Sequence, residues 1–244
     1  MNLPSNQLRA IVTGASSGIG KATALAFAKS GIGVILVSRS IDKLEAVANE
    51  IKALETQVKV DIYPLDLAVI EQVKQQIRQI CHQFGPIDIL VNNAGMGYTN
   101  YLNDTPLEDW QQVINLNLTS VFQCIQGVLP HMRDRGSGTI INVASIAAHN
   151  AFPNWGLYSV SKAAVVALSK ALSTEEREHG IRTVIVSPGS VDTPIWDTDT
   201  VQADFDRASM LSPEIVAQSI LHTALLPHQA VVEETIVMPS GGAL

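Results

Sequence analysis

Arg9-Ala10-Ile11-Val12-Thr13-Gly14-Ala15-Ser16-Ser17-Gly18-Ile19-Gly20-Lys21 decides how the rest of the chain is read. The apolar run 9–13 has strand composition and stops at a glycine. A helical pattern over 21–30 follows the glycine-rich turn. Strand, glycine turn and helix together place backbone N–H groups and a helix N-terminus where a phosphate can be held. Glycines permit the tight turn and let a pyrophosphate approach the main chain. A P-loop would read G-x-x-x-x-G-K-[ST]. Here Gly14 and Gly20 are one residue too far apart, and Ala22 stands where that motif needs a hydroxyl. The common dinucleotide spacing G-x-G-x-x-G also fails, since the pattern is G-x-x-x-G-x-G. An ordinary βα turn is the competing reading of this stretch alone.

Further along the chain the same alternation repeats. Strands are expected near 33–37, 58–63, 87–91, 139–144, 181–186 and 231–237, and helices near 41–54, 69–84, 106–135, 161–177 and 213–225. Short, fully apolar strands between helices belong to a parallel sheet covered on both faces. The alternation runs without a linker or repeat, so residues 1–244 are expected to form one domain. Asn115 and Asn117 interrupt the long helix 106–135 and predict a kink or an internal hydrogen-bonding role. Thr105 and Ser212 are candidate helix caps. Asp66 is read either as a cap for the helix after it or as a neighbour of a ligand; both stay open. The polar stretch 195–211 has the length of a lid.

Composition narrows the class. Of 244 residues, 46% are hydrophobic and 16% charged, with a net charge of -7. That balance supplies a large core and argues against nucleic acid or an anionic membrane as partner. Cys81 and Cys124 match no metal spacing and no disulfide framework, so no metal site is expected. No run is long and apolar enough for a signal peptide or a membrane span, and a cytoplasmic protein is expected.

Two further stretches carry chemistry. No carboxylate ends the second strand, where one would bond a ribose 2′-OH. Ser38-Arg39 stands there instead, and a guanidinium can pair with a 2′-phosphate, which favours NADP(H) over NAD(H). Tyr158 and Lys162 are four apart, on one face of a helix. A phenol titrates near ~10 in water, and a cation beside it is expected to lower that value. Ser145 ends the fifth strand, where its hydroxyl can grip a carbonyl oxygen that Tyr158 protonates.

Together these residues resemble the short-chain dehydrogenase/reductase family over essentially the whole chain. Thr13 to Gly20 is similar to its cofactor loop, and Asn92-Asn93-Ala94-Gly95 to its N-N-A-G stretch. Asn117, Ser145, Tyr158 and Lys162 resemble its catalytic set, and Pro188-Gly189 with Val191 and Thr193 the segment over the nicotinamide. The resemblance is closest to the carbonyl-reducing branch, including 3-oxoacyl-carrier-protein reductases.

It implies a single-domain α/β fold of the Rossmann type, a doubly wound parallel sheet of about seven strands ordered 3-2-1-4-5-6-7. It further implies that Gly14, Ser16, Ser17, Gly18, Ile19 and Gly20 surround the phosphates. Ser38 and Arg39 would hold the 2′-phosphate, Asp66 and Leu67 would flank adenine, and Asn93, Ala94 and Gly95 would line the ribose. Thr193 would bond the carboxamide and Lys162 the nicotinamide ribose, while Asn117 would hold a proton-relaying water. A homodimer or homotetramer is implied through helices 106–135 and 158–180. Met96, Tyr98, Phe152, Trp155, Ile195 and Trp196 are candidate walls for a small carbonyl or alcohol substrate. Two other readings are an alcohol dehydrogenase working oxidatively and a non-catalytic dinucleotide-binding regulator.

Overall fold

The computed structural model describes residues 8–54, 56–203 and 205–242. The chain runs β1 (Arg9–Thr13), α1 (Gly18–Lys29), β2 (Gly33–Ser38), α2 (Ile41–Lys52), β3 (Val60–Pro64), α3 (Ile70–Phe84) and β4 (Ile89–Asn92). It continues through α4 (Leu107–Ile114), α5 (Ser120–Arg135), β5 (Gly138–Val143), α6 (Gly156–Glu176), β6 (Ile181–Pro188), α7 (Pro213–Ala224) and β7 (Glu234–Val237). The seven strands form one sheet in the order β3-β2-β1-β4-β5-β6-β7. Every pairing is parallel.

The period-2 alternation of each strand sorts its side chains between two cores. Ala10, Val12, Val34 and Leu36 face one side, where Phe27 of α1, Leu44 of α2 and Ile220 of α7 cover them. Ile11, Ile35, Val37 and Leu90 face the other, under Ile77 of α3, Val128 of α5 and Leu172 of α6. β2 and β4 flank β1 on opposite edges, so the connections reverse direction between β1 and β4. In an open α/β sheet that reversal leaves a crevice at the carboxyl ends of the strands.

Three expectations change here. α1 begins at Gly18, so the glycines form its first turn. α6 begins at Gly156, with Trp155 at the N-cap, which places Tyr158 in the first turn. Helix 106–135 is two helices joined by a wide π turn over Asn115–Thr119, at the asparagines where a kink or an internal hydrogen-bonding role was expected. A π turn spreads the backbone and is a known source of a bend. The caps also differ. Asp66 does not cap α3, whose N-cap is Val69; its Oδ1 accepts from the N–H of Ala68 at 2.9 Å, a local turn. Thr105 donates back to the Tyr101 carbonyl at 2.9 Å instead of capping α4. Ser212 sits at the N-cap of α7 without a side-chain bond. No helix among the described residues is long and apolar enough to cross a membrane.

Candidate active site

The crevice is stitched by Thr13, whose side chain turns inward at the end of β1. Its hydroxyl donates to the Val91 carbonyl at 3.1 Å and accepts from the N–H groups of Asn93 (2.9 Å) and Ala94 (3.1 Å). Asn93 Nδ2 returns a bond to the Thr13 carbonyl at 3.0 Å. The sequence places Thr13 at the start of the glycine-rich loop without assigning it this role; a hydroxyl closing an otherwise apolar strand is the available signal.

Gly14 has φ 65°, in the left-handed region. A Cβ on Gly20 would lie 2.2 Å from the Gly14 carbonyl oxygen and 2.6 Å from Asn93 Nδ2. The turn is therefore closed by backbone, leaving the N-terminus of α1 bare. Ser16, Ser17, Gly18 and Ile19 are half-buried around it. The segment after β6 packs over the loop: a Cβ on Gly18 would touch the Thr193 side chain at 3.0 Å. Val191 is buried and pairs with Leu211, and Gly189 donates to the Val237 carbonyl at 2.8 Å, holding Pro188 and its followers against β7.

At the end of β2 the Ser38 hydroxyl is buried without a partner. Arg39 beside it is exposed and makes no ion pair among the described residues. Buried polar groups are rarely left unpaired, so an orphaned donor next to a free guanidinium fits an anionic ligand group. Asp66 is exposed there, whereas the side chain of Leu67 is in the core, which leaves only its main chain to face a ligand. The bare helix end, the backbone-closed turn and the Ser38-Arg39 pair together fit a phosphorylated dinucleotide laid across the sheet.

Past the crevice, β5 and α6 bring Ser145, Tyr158 and Lys162 together. Ser145 N-caps the short turn Ile146–Ala148, its Oγ accepting from the Ala147 N–H at 3.1 Å. Lys162 is buried; its Nζ donates to the Val143 carbonyl at 3.0 Å and lies 5.8 Å from the Tyr158 ring centroid. A Cβ on Gly95 would stand 3.5 Å from that Nζ. Asn117 is 0% exposed. Its Oδ1 accepts from the Met96 N–H at 2.8 Å, and its Nδ2 donates to the Met96 carbonyl at 2.9 Å and to Ser161 Oγ at 3.1 Å. Ser161 in turn donates to the Tyr158 carbonyl at 2.7 Å. Ser161 was not foreseen, although it stands three residues from Tyr158 on the same helix.

The electrostatics reverse one expectation. Burial pushes the Tyr158 hydroxyl above its ordinary range, with the Ser145 hydroxyl working in the other direction. Lys162 does not offset this rise, and burial drives the lysine itself down to about 8. Desolvation is the dominant cause at both groups: it disfavours the phenolate and the ammonium alike.

The candidate walls divide. Met96, Phe152, Trp155, Ile195 and Trp196 are half-buried. Tyr98 is not a wall: it is core, packed with Val113 and Leu157, and its hydroxyl donates to Asp109 at 2.8 Å. Among the described residues no cluster of three or more His, Cys, Asp or Glu is placed to hold a metal.

Comparison with known proteins gives the same fold. The sequence profile described as "short chain dehydrogenase" matches residues 9–203. An uncharacterized oxidoreductase of Staphylococcus haemolyticus is 35% identical over 230 residues, 94% of this chain and 96% of the relative. An alcohol dehydrogenase from the archaeon Thermococcus sibiricus, complexed with 5-hydroxy-NADP, superposes with a TM-score of 0.86 at 30% identity, covering 96% of this chain and 97% of the other. L-Sorbose reductase from Gluconobacter frateurii, complexed with NADPH and L-sorbose, gives a TM-score of 0.85 at 32% identity, covering 97% and 96%. The chain belongs to the short-chain dehydrogenase/reductase family and is an oxidoreductase dependent on a nicotinamide dinucleotide.

Proposed function

We propose that this protein reduces a carbonyl compound to an alcohol with NADPH, with Tyr158 as the proton donor. The observation that carries the reading is the convergence of Ser145, Tyr158 and Lys162 beside Gly95, at the carboxyl ends of β4 and β5. Ser38 and Arg39 take the 2′-phosphate, and the NADP-bound relatives support that preference. Gly14 to Gly20 takes the pyrophosphate, Asn93 to Gly95 the ribose region, and Thr193 the carboxamide.

When bound, the reduced nicotinamide would supply the hydride, a proton with two electrons, that the carbonyl carbon takes up. Negative charge then grows on the carbonyl oxygen. The Ser145 hydroxyl donates a hydrogen bond to it, and the Tyr158 hydroxyl delivers its proton, giving the alcohol and a phenolate. A phenol raised by burial is fully protonated at neutral pH, so the donor is loaded before the reaction. Lys162, when protonated, offsets the phenolate charge, and a solvent proton restores the phenol. Asn117 fixes Met96 and Ser161 and keeps one acceptor lone pair for a relaying water. In the oxidative direction the same groups run in reverse.

A homodimer or homotetramer through α5 and α6 is part of this reading. It is supported by the exposed small residues Ala163, Ala167 and Ala171 of α6 beside exposed Phe122 of α5. A 3-oxoacyl carrier-protein substrate finds less support. Arg133 is paired with buried Glu176, and Arg135 with Asp88, so neither cation is free for an acidic carrier.

Tyr158→Phe tests the assignment. Turnover should fall by roughly 10²-fold or more, while NADPH binding followed by its fluorescence is retained. A near-wild-type kcat would remove Tyr158 from the mechanism.

A further inference from the structure

The mouth of the site has two properties that the reaction itself does not require. The first is a ladder of rings. Tyr158 meets Trp155 edge to face at 5.3 Å, Trp155 meets Trp196 at 5.6 Å, and Trp196 meets Phe205 at 5.4 Å, with interplanar angles of 72°, 68° and 85°. Such near-perpendicular pairs are a favoured aromatic arrangement. The ladder starts at the phenol and ends on Phe205, 36% exposed. Single apolar side chains on a surface need no explanation, but a continuous aromatic run from the surface to a catalytic centre does.

The ladder is built in advance. The indole Nε1 of Trp196 donates to the Val191 carbonyl at 2.7 Å. The segment that carries Trp196 and Phe205 is tied to the strand-end loop 97–99. Thr99 N–H donates to the Thr200 carbonyl at 2.9 Å, Thr200 Oγ1 to the Gly97 carbonyl at 2.8 Å, and Gln202 N–H to Thr99 Oγ1 at 2.7 Å. Arg207 clasps the same segment from outside through Asp192 (2.6 Å), Asp197 (3.1 Å) and the Thr193 carbonyl (3.1 Å). An aromatic ligand would meet surface that has already lost its freedom, which lowers the cost of binding.

The second property is charge. Residues 96–110 carry three acidic side chains and no Lys or Arg, residues 144–161 carry neither acids nor Lys or Arg, and the described residues of 190–211 carry Asp192, Asp197, Asp199 and Asp206 against Arg207 alone. That one guanidinium is already shared between Asp192 and Asp197. Asp199 and Asp206 are exposed and make no ion pair among the described residues. A mouth with one sign of charge disfavours ligands of that sign in both encounter and residence.

We infer that this site takes an aryl ketone or aryl aldehyde bearing no acidic group, stacked on Trp155, Trp196 and Phe205, and rejects carbonyl compounds carrying carboxylate or phosphate. This rests on the carbonyl-reducing reading above and adds its substrate class. Reduction of such a compound consumes one hydride from NADPH and one proton and yields a benzylic-type alcohol.

The test uses size-matched probes: 4-methylacetophenone, 4-acetylbenzoate and cyclohexyl methyl ketone. NADPH oxidation gives kcat/KM, and ligand-observed NMR on the protein with NADP⁺ gives Kd without turnover. The neutral aryl ketone should exceed 4-acetylbenzoate by about tenfold or more in both readouts, with the gap narrowing as salt is raised. It should also exceed the cyclohexyl ketone, and Trp196→Ala should collapse that aryl-over-alkyl ratio. Asp199→Lys should raise 4-acetylbenzoate relative to the neutral ketone. A carboxylate bound as well as its neutral match overturns the inference, as does equal binding of aryl and cyclohexyl ketones or binding of none. Should no ketone be reduced while NMR keeps the order, the reaction assignment falls and the ligand class stands.

Discussion

Asn117 holds Met96 by both of its main-chain groups, accepting from its N–H at 2.8 Å and donating to its carbonyl at 2.9 Å. The amide sits in the π turn between α4 and α5, and the residue it grips follows Gly95, beside Lys162. Its remaining donor reaches Ser161, one position before Lys162. A single side chain thereby ties β4's loop, the bent helix and α6 into one frame. Asn117→Leu removes the partner of both main-chain groups of half-buried Met96, so a loss of about 1–3 kcal/mol is expected in urea unfolding. A leucine variant within ~0.5 kcal/mol of wild type would show that the clamp carries no stability.

Lys162 gives a pH signature. Its folded pKa is depressed from 10.5 to about 8 by burial. Between those values the unfolded chain holds a proton that the native protein has released. Stability therefore gains with rising pH across the window from about 8 to 10.5, by up to on the order of 3 kcal/mol from this group, and shows no such slope below it. Lys162→Met removes the titration. The difference in melting temperature between the two proteins should shift in favour of wild type from pH 8 to pH 10. A pH-independent difference would place the lysine's pKa near its ordinary value.

Gly20 tests the phosphate cradle. An alanine Cβ would fall 2.2 Å from the Gly14 carbonyl oxygen, and the loop must open to admit it. Gly20→Ala should weaken NADPH binding by at least about tenfold and cost roughly 1–3 kcal/mol of stability. A Kd within twofold of wild type would mean that the turn does not hold the pyrophosphate.

Arg39 tests cofactor choice. Arg39→Asp replaces the proposed partner of the 2′-phosphate with a carboxylate that would repel it and can bond a ribose hydroxyl. The NADPH/NADH ratio of kcat/KM should fall by about 10²-fold. An unchanged ratio would take Arg39 out of the cofactor site.

The fold was legible because its signals are local. Apolar runs of strand length, glycine and proline breaks, and helical periodicity lie within a few residues of each other, and they located every strand to within three residues at either end. The asparagine pair pointed to an interruption of the helix for the same reason: two poor helix formers stand inside one helical stretch. Boundaries at α1 and α6 were missed because tertiary packing extends helices over Gly18–Gly20 and over residues 156–160, which local propensity leaves out.

The proposed site could be read from the sequence as a set of candidate residues but not as an electrostatic unit. Sequence alone determined that Tyr158 and Lys162 share a helix face and that Ser145 ends a strand. Only the tertiary structure decided that burial raises the phenol and lowers the lysine, because desolvation depends on every element that covers them. It likewise decided that Tyr98 is core, that Arg133 and Arg135 are already paired, and that Trp155, Trp196 and Phe205 join Tyr158 in one ladder. Those partners lie far apart along the chain. Spacing fixes which groups share a local element, whereas charge, burial and contact belong to whatever the fold brings beside them.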